Sequence, residues 1–152
     1  MIAGQNGPGA TNLITGVAQA AAAFSPVISI AGAISSEDVG KNTFQEIDQQ
    51  ALFEPITKKT WTVTEAKKIP KIFSKAFNLA MSPRRGPVQI NLPRNILSDS
   101  AKFNVDQNNK SYENDNFSKG KKQDIKKAVK IIHSAIKPVI VVGGGIKYKG
   151  KY

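Results

Sequence analysis

The run Met1-Ile2-Ala3-Gly4-Gln5-Asn6-Gly7-Pro8-Gly9 decides the fold. Met1-Ile2-Ala3 reads as the last residues of a buried strand, and the glycines around Pro8 as a tight turn into a helix. From Ala10 to Phe24 small and apolar residues run almost continuously, with Leu13, Ile14, Val17 and Ala21 at helical spacing. That pattern predicts a helix buried on most sides or packed against a partner. Pro26 to Ala31 is then a short apolar strand closed by Gly32, and its near-continuous hydrophobicity suits a parallel sheet covered on both faces. A complete domain seldom begins so close to a glycine-rich turn, because its first strand would have too few residues to pair. The chain is therefore expected to start inside a domain.

Downstream the alternation continues. Ser35 to Thr43 is polar and contains Gly40, a loop; Phe44 to Phe53 suggests a short helix stopped by Pro55, and Thr60 to Val63 a small strand around Trp61. Ile69, Ile72, Phe73, Ala76, Phe77 and Ala80 form a helical stripe, with Thr64 as a candidate cap and Pro70 tolerable in the first turns. Pro83 and Gly86 end that helix, and Pro87 to Leu92 alternates into a strand stopped by Pro93. Strand, helix, strand with short connections is the signature of a parallel α/β sheet with flanking helices. From 98 to 120 Asn, Asp, Ser and Lys dominate and no period survives, which reads as a linker. Ile125, Ala128, Val129, Ile132 and Ile136 mark an amphipathic helix, Pro138 to Val142 a buried strand, and Gly143-Gly144-Gly145 a turn out of it. Residues 121–152 are thus the start of a second, Rossmann-like α/β domain, and 1–97 part of a first.

The composition excludes several classes. A hydrophobic fraction of 40% with 22% charge is that of a globular protein. No run of about eighteen apolar residues and no signal segment points to a membrane or to export, so the cytoplasm is the expected location. Cysteine is absent, which removes disulfides, thiolate metal sites and Cys nucleophiles. The net charge of +11 invites a nucleic-acid partner, but the lysines cluster in the last third, at Lys121-Lys122, Lys126-Lys127, Lys147, Lys149 and Lys151. No aromatic residues are interleaved with them in the helix to stack bases, so they read as a solvated face. His133, the only histidine, sits on that helix without a carboxylate to orient it and reads as a surface residue.

Three motifs carry possible chemistry. Gly7-Pro8-Gly9 opens a helix, where free N–H groups favour a hydrogen-bonding or anionic ligand; the same residues also suit a mere turn. Phe44-Gln45-Glu46-Ile47-Asp48 combines an aromatic residue, an amide and two acids; without context Phe44 reads as core and the acids as surface groups. Gly143-Gly144-Gly145 fits either a phosphate-facing turn of a nucleotide-binding module or a plain tight turn.

In order and at these separations the pieces are more specific. Gly-Pro-Gly-Ala-Thr-Asn at 7–12, Pro-Val-Ile-Ser-Ile-Ala-Gly at 26–32, Phe-Gln-Glu at 44–46, Ile56-Thr57-Lys58, and Arg85-Gly86-Pro87-Val88 leading to Leu92-Pro93-Arg94 form one set. The set resembles the pyrimidine-binding domain of the thiamine-diphosphate enzymes grouped with acetolactate synthase, oxalyl-CoA decarboxylase and sulfoacetaldehyde acetyltransferase. The resemblance covers about residues 1–97 and, more weakly, 121–146. It implies that Pro8 and Asn12, with Gly7 and Gly9, bind the aminopyrimidine ring, and that Phe44 and Gln45 reach the reacting centre, the amide acting by electrostatic preorganisation. It implies thiamine diphosphate as an electron sink for a 2-oxo acid or aldehyde substrate, Mg2+ held by a domain outside this chain, FAD as an option, and a homodimer or homotetramer. The resemblance also places the glutamate that activates the cofactor upstream of Gly7-Pro8-Gly9, outside these residues, so the chain alone is expected to be inactive. No metal ligands are assigned within it. Gln5 to Gly9 and Gln89 to Asn95 look more like sulfoacetaldehyde acetyltransferase, whereas Ala10 to Gly16 and Pro55 to Lys58 are closer to acetolactate synthase, the broader description. Readings of another class are a nucleotide-binding module and a non-catalytic interaction subunit.

Overall fold

The computed structural model describes residues 1–102 and 120–143. The chain divides into two units, Met1–Glu113 and Asn114–Tyr152.

In the first unit, β1 (Ile2–Gly4) leads through the Gly7 turn into α1 (Pro8–Ala22), whose start accepts Pro8 because the first-turn N–H is not needed for the helix. β2 (Ile28–Ala33) follows, then a loop, α2 (Gln49–Phe53), a 3-10 turn (Glu54–Ile56) and β3 (Thr60–Thr62). A second 3-10 turn (Ala66–Lys68), α3 (Ile69–Met81), β4 (Val88–Pro93) and α4 (Arg94–Leu97) complete the unit. The four strands form one parallel sheet in the order β1-β2-β4-β3, with β4 inserted between β2 and β3. A parallel sheet with flanking helices is what the alternation predicts.

The two faces of the sheet carry different chemistry. Side chains alternate along a strand. On one face Ile28 of β2 and Val88, Ile90 and Leu92 of β4 pack against Ala76 and Ala80 of α3, with Ile72, Phe73 and Phe77 around them. On the other, Ala31 of β2 meets Ala10 and Val17 of α1 and Phe53 of α2. The odd-numbered positions of β4 share that second face, so Gln89 and Asn91 are buried there. All six residues of β4 are buried, and its polar positions meet other polar groups instead of water.

Other boundaries shift for local reasons. β2 runs through Gly32 to Ala33, because Gly32 and Ala33 continue the ladder opposite Leu92 and Pro93. β1 is exposed where the sequence predicts a buried strand, because among the described residues it is paired on one side only, by β2. Thr64 does not cap α3; the 3-10 turn intervenes, and the Thr64 hydroxyl accepts from Lys68 Nζ at 3.2 Å. The far end of α3 is closed by Lys58, whose Nζ donates to the Leu79 carbonyl at 2.6 Å and to Ser82 Oγ at 2.6 Å. A cation at a helix C-terminus satisfies carbonyls that have no partner in the helix. Burial holds the Lys58 ammonium below its ordinary value.

In the second unit, α5 (Lys122–Ser134) has Asp124 in its first turn and no buried residue. The expected strand at Pro138–Val142 does not form: those residues are extended without a ladder and are exposed, because no described segment pairs with them. Gly144, Gly145 and most of the 98–120 linker lie outside the described residues.

The contrast between two phenylalanines tests this core. Phe53 is fully buried and Phe44 is 85% exposed. In urea unfolding, Phe53→Ala is expected to cost about 3–5 kcal/mol and Phe44→Ala to stay within about 0.5 kcal/mol. Equal costs would contradict the packing.

Candidate functional site

Open parallel sheets present ligands with the loops at the C-terminal ends of their strands. Here β2 ends at Ala33 and β4 at Pro93, in register, with Thr62 of β3 opposite Asn91. Residues 34–48 run over these ends as a loop and enclose a cleft of about 590 Å³, lined from the sheet by Ala33, Thr62, Asn91 and Pro93 and from the loop by Gln45 and Glu46.

The loop is held in one shape by its own side chains. Gly40, Asn42 and Gln45 are left-handed, at φ 83°, 53° and 65°. For a non-glycine residue such backbone costs about 1–2 kcal/mol, so contacts elsewhere must hold it. Glu46 supplies them: one carboxylate oxygen accepts the Gly40 N–H and the other the Thr43 N–H at 3.0 Å. Those backbone donors, Gly40 first, hold the Glu46 carboxyl below its ordinary value of 4.5. Thr43 Oγ1 donates to the Asp38 carbonyl, and Asn95 fastens the loop to α4 by accepting the Ser36 N–H and donating to Ser36 Oγ. Asp48 caps α2 by accepting the Ala51 N–H at 3.0 Å. The helix therefore starts at Gln49, five residues after the Phe44 that the sequence pattern offered.

The expected site residues are distributed unequally. Gly7 is buried at φ 58°, and Gln45 lies directly over it: a Cβ on Gly7 would come within 2.8 Å of the Gln45 Cβ. The turn before α1 and the amide-bearing loop thus meet. Gln45 lines the cleft. Gly9, in the first turn of α1, rests against the Gln5 side chain. Pro8 and Asn12 are exposed, and the Pro8 carbonyl accepts the Thr11 hydroxyl. Neither Asn12 nor Phe44 lines the cleft, and Phe44, read as core without context, points to solvent.

Residues the sequence reading did not single out sit beneath the cleft. Gln49 is buried, and its Oε1 accepts the Gly7 N–H at 3.2 Å. Its Nε2 donates to the Gly32 carbonyl at 3.0 Å and to Asn91 Oδ1 at 3.1 Å. Asn91 Oδ1 also accepts Gln89 Nε2 at 2.9 Å. The available signal was the pair of amides at alternate positions of an otherwise apolar strand; a sheet covered on both faces must satisfy such groups internally. Ser29 Oγ and Gln89 Oε1, on residues in register across β2 and β4, are buried without a hydrogen-bond partner among the described residues. Among the described residues no group of three or more His, Cys, Asp or Glu is placed to hold a metal, and no helix is long and apolar enough to cross a membrane.

Two measurements check this geometry. Gly7→Ala is expected to destabilise the chain more than Gly40→Ala, since both need left-handed backbone but only Gly7 has Gln45 against it; thermal unfolding of the two variants gives the difference. The Glu46 carboxylate supports the loop fully above its ordinary value of 4.5, and that support is lost as pH falls through the lowered folded value. The Gly40 and Thr43 amide resonances should therefore titrate with a midpoint below 4.5, and Glu46→Gln should remove the step.

Comparison with known proteins adds independent findings. Residues 1–52 match the family described as "Thiamine pyrophosphate enzyme, N-terminal TPP binding domain"; thiamine pyrophosphate is thiamine diphosphate. A probable acetolactate synthase large subunit from Methanococcus aeolicus is 39% identical over 150 residues, 97% of this chain and 25% of that protein. The acetolactate synthase large subunit of Buchnera aphidicola subsp. Schizaphis graminum is 42% identical over 145 residues, 93% of this chain and 25% of that protein. The acetolactate synthase isozyme 3 large subunit of Escherichia coli is 38% identical over 144 residues, 92% of this chain and 25% of that protein. The chain is thus similar, over nearly all of its own length, to acetolactate synthase large subunits of which it spans about a quarter.

Proposed function

We propose that this chain is the part of a thiamine-diphosphate-dependent, acetolactate synthase-like enzyme that receives the pyrimidine end of the cofactor. The observation that carries the reading is the meeting of Gly7 and Gln45: the entrance of α1 and the amide loop share one edge of the sheet. Residues 1–97 would then be the pyrimidine-binding part, 98–120 a linker and 121–152 the opening of a central domain, in a cytoplasmic homodimer or homotetramer.

The residues present fit the cofactor's ring end. α1 begins without a side-chain cap, and Pro8 and Asn12 are exposed at its mouth, free to contact a heteroaromatic ring. When bound, thiamine diphosphate would supply the electron sink that a 2-oxo acid needs to lose carbon dioxide and join a second carbonyl. Gln45 would orient the acceptor carbonyl or stabilise developing oxyanion charge from a fixed position, which costs no reorganisation during the reaction. Phe44, exposed on the same loop, would cover the reacting centre. Mg2+ would accompany the diphosphate on residues other than these, and FAD is an optional companion on the central domain.

The reading is tested on the protein expressed in its complete reading frame. Pyruvate should be converted to acetolactate in the presence of thiamine diphosphate and Mg2+, and Gln45→Ala should lower kcat by about 10²-fold or more with little change in cofactor affinity. Acetyl phosphate from sulfoacetaldehyde and phosphate, without acetolactate, would assign the second activity of the resembling group. Tight ADP or FAD binding with no thiamine diphosphate dependence would leave a nucleotide-binding module instead.

A further inference from the structure

We propose that Gln49 is the positioning residue of this site: its side-chain amide fixes the entrance of α1 relative to the loop that carries Gln45. The inference rests on the thiamine-diphosphate reading for its consequence, though not for its geometry. Gly7 is gripped from two sides. Gln45 lies over it in van der Waals contact, and Gln49 binds its N–H from below at 3.2 Å. Both Nε2 hydrogens of Gln49 are used, one toward the Gly32 carbonyl of β2 and one toward Asn91 Oδ1 of β4. The amide cannot be reversed, because its NH2 would then face the Gly7 N–H and its oxygen the Gly32 carbonyl. Gln49 itself is placed by the Asp48 cap, which starts α2 at that residue. The frame extends through Asn91, whose Nδ2 donates to Thr62 Oγ1 at 3.4 Å. One side chain thus ties the turn before α1, the ends of β2 and β4, and the loop in front of them.

A glutamine is suited to this task. It needs one acceptor for a backbone N–H and two donors for two oxygens, and it carries no charge to be desolvated at a buried position. Gln49→Met keeps the length and the apolar stem but removes all three bonds, whereas Gln49→Glu would turn an oxygen toward the Gly32 carbonyl and Asn91 Oδ1 and bury a charge, so it is no rescue. In the full 152-residue chain, amide hydrogen exchange at Gly7 is expected to quicken about ten-fold in Gln49→Met, with a shifted Gln45 resonance. In the protein expressed in its complete reading frame, the thiamine diphosphate concentration for half-activation should rise about ten-fold in Gln49→Met. Its kcat at saturating cofactor should fall as well, by less than the roughly 10²-fold of Gln45→Ala, because the loop that carries Gln45 is displaced. Unchanged exchange at Gly7 would overturn the proposal. So would a lower unfolding midpoint with unchanged half-activation, which is the mark of a purely structural side chain. Failure of the cofactor reading is separate: wild-type protein would then show no thiamine diphosphate dependence, and the Gly7 and Gln45 amides alone would decide the role of Gln49.

Discussion

A backbone N–H buried at a left-handed glycine must find an acceptor, and the acceptor for Gly7 is a side chain forty-two residues away. That requirement organises much of the first unit. Gln49 can reach Gly7 only if α2 begins where Asp48 caps it, and its remaining donors find partners only if β2 and β4 are in their observed register. Asn91 in turn accepts from Gln89 and donates toward β3. The amides therefore form a connected layer under α1 and α2, where each member is stronger for the others being in place. The α3 face of the same sheet is held by ordinary apolar packing.

The loop above this layer spends its acids on structure. Glu46 is bound to backbone N–H groups of its own loop and Asp48 to the first turn of α2. Neither is left as a free base facing the cleft, and among the described residues no lysine or arginine lines it. The cleft is thus an amide-bearing surface whose two acids are bound to backbone N–H groups, suited to orienting a carbonyl through a fixed dipole and unsuited to neutralising a substrate carboxylate. In an enzyme of the proposed kind, recognition of the anionic end of a 2-oxo acid would fall to cations elsewhere.

How far the sequence could be read follows from where each signal resides. α3 was legible because its stripe at Ile69, Ile72, Phe73, Ala76 and Phe77 reports one covered face, and β2 because continuous hydrophobicity reports two. The Gly7-Pro8-Gly9 entrance was legible from local backbone chemistry. The roles of Gln89 and Asn91 were not, since alternation looks the same whether the polar face meets water or a buried amide brought from another element. Gln49 was hidden for the same reason: nothing near it in the chain marks it, and its partners are Gly7, Gly32 and Asn91. Phe44 and Phe53 show the same limit from the apolar side, for the left-handed Gln45 and the Glu46 carboxylate turn the first outward while α2 carries the second into the core. Pro138–Val142 has the composition of a strand, but a strand exists only with a neighbour to bond.

The division of β4 into an apolar side and an amide side also bears on how the chain assembles. Sliding a strand by one residue exchanges its two faces. For β4 that would push Gln89 and Asn91 into the α3 packing and strand Gln49 without its neighbours, whereas in a uniformly greasy strand the same slip would pass almost unnoticed. Parallel sheets, whose pairings are distant along the chain, form slowly and offer ample opportunity for such errors. The buried amides thus favour one strand alignment over its neighbours: only in the observed pairing do Gln49, Gln89 and Asn91 meet one another.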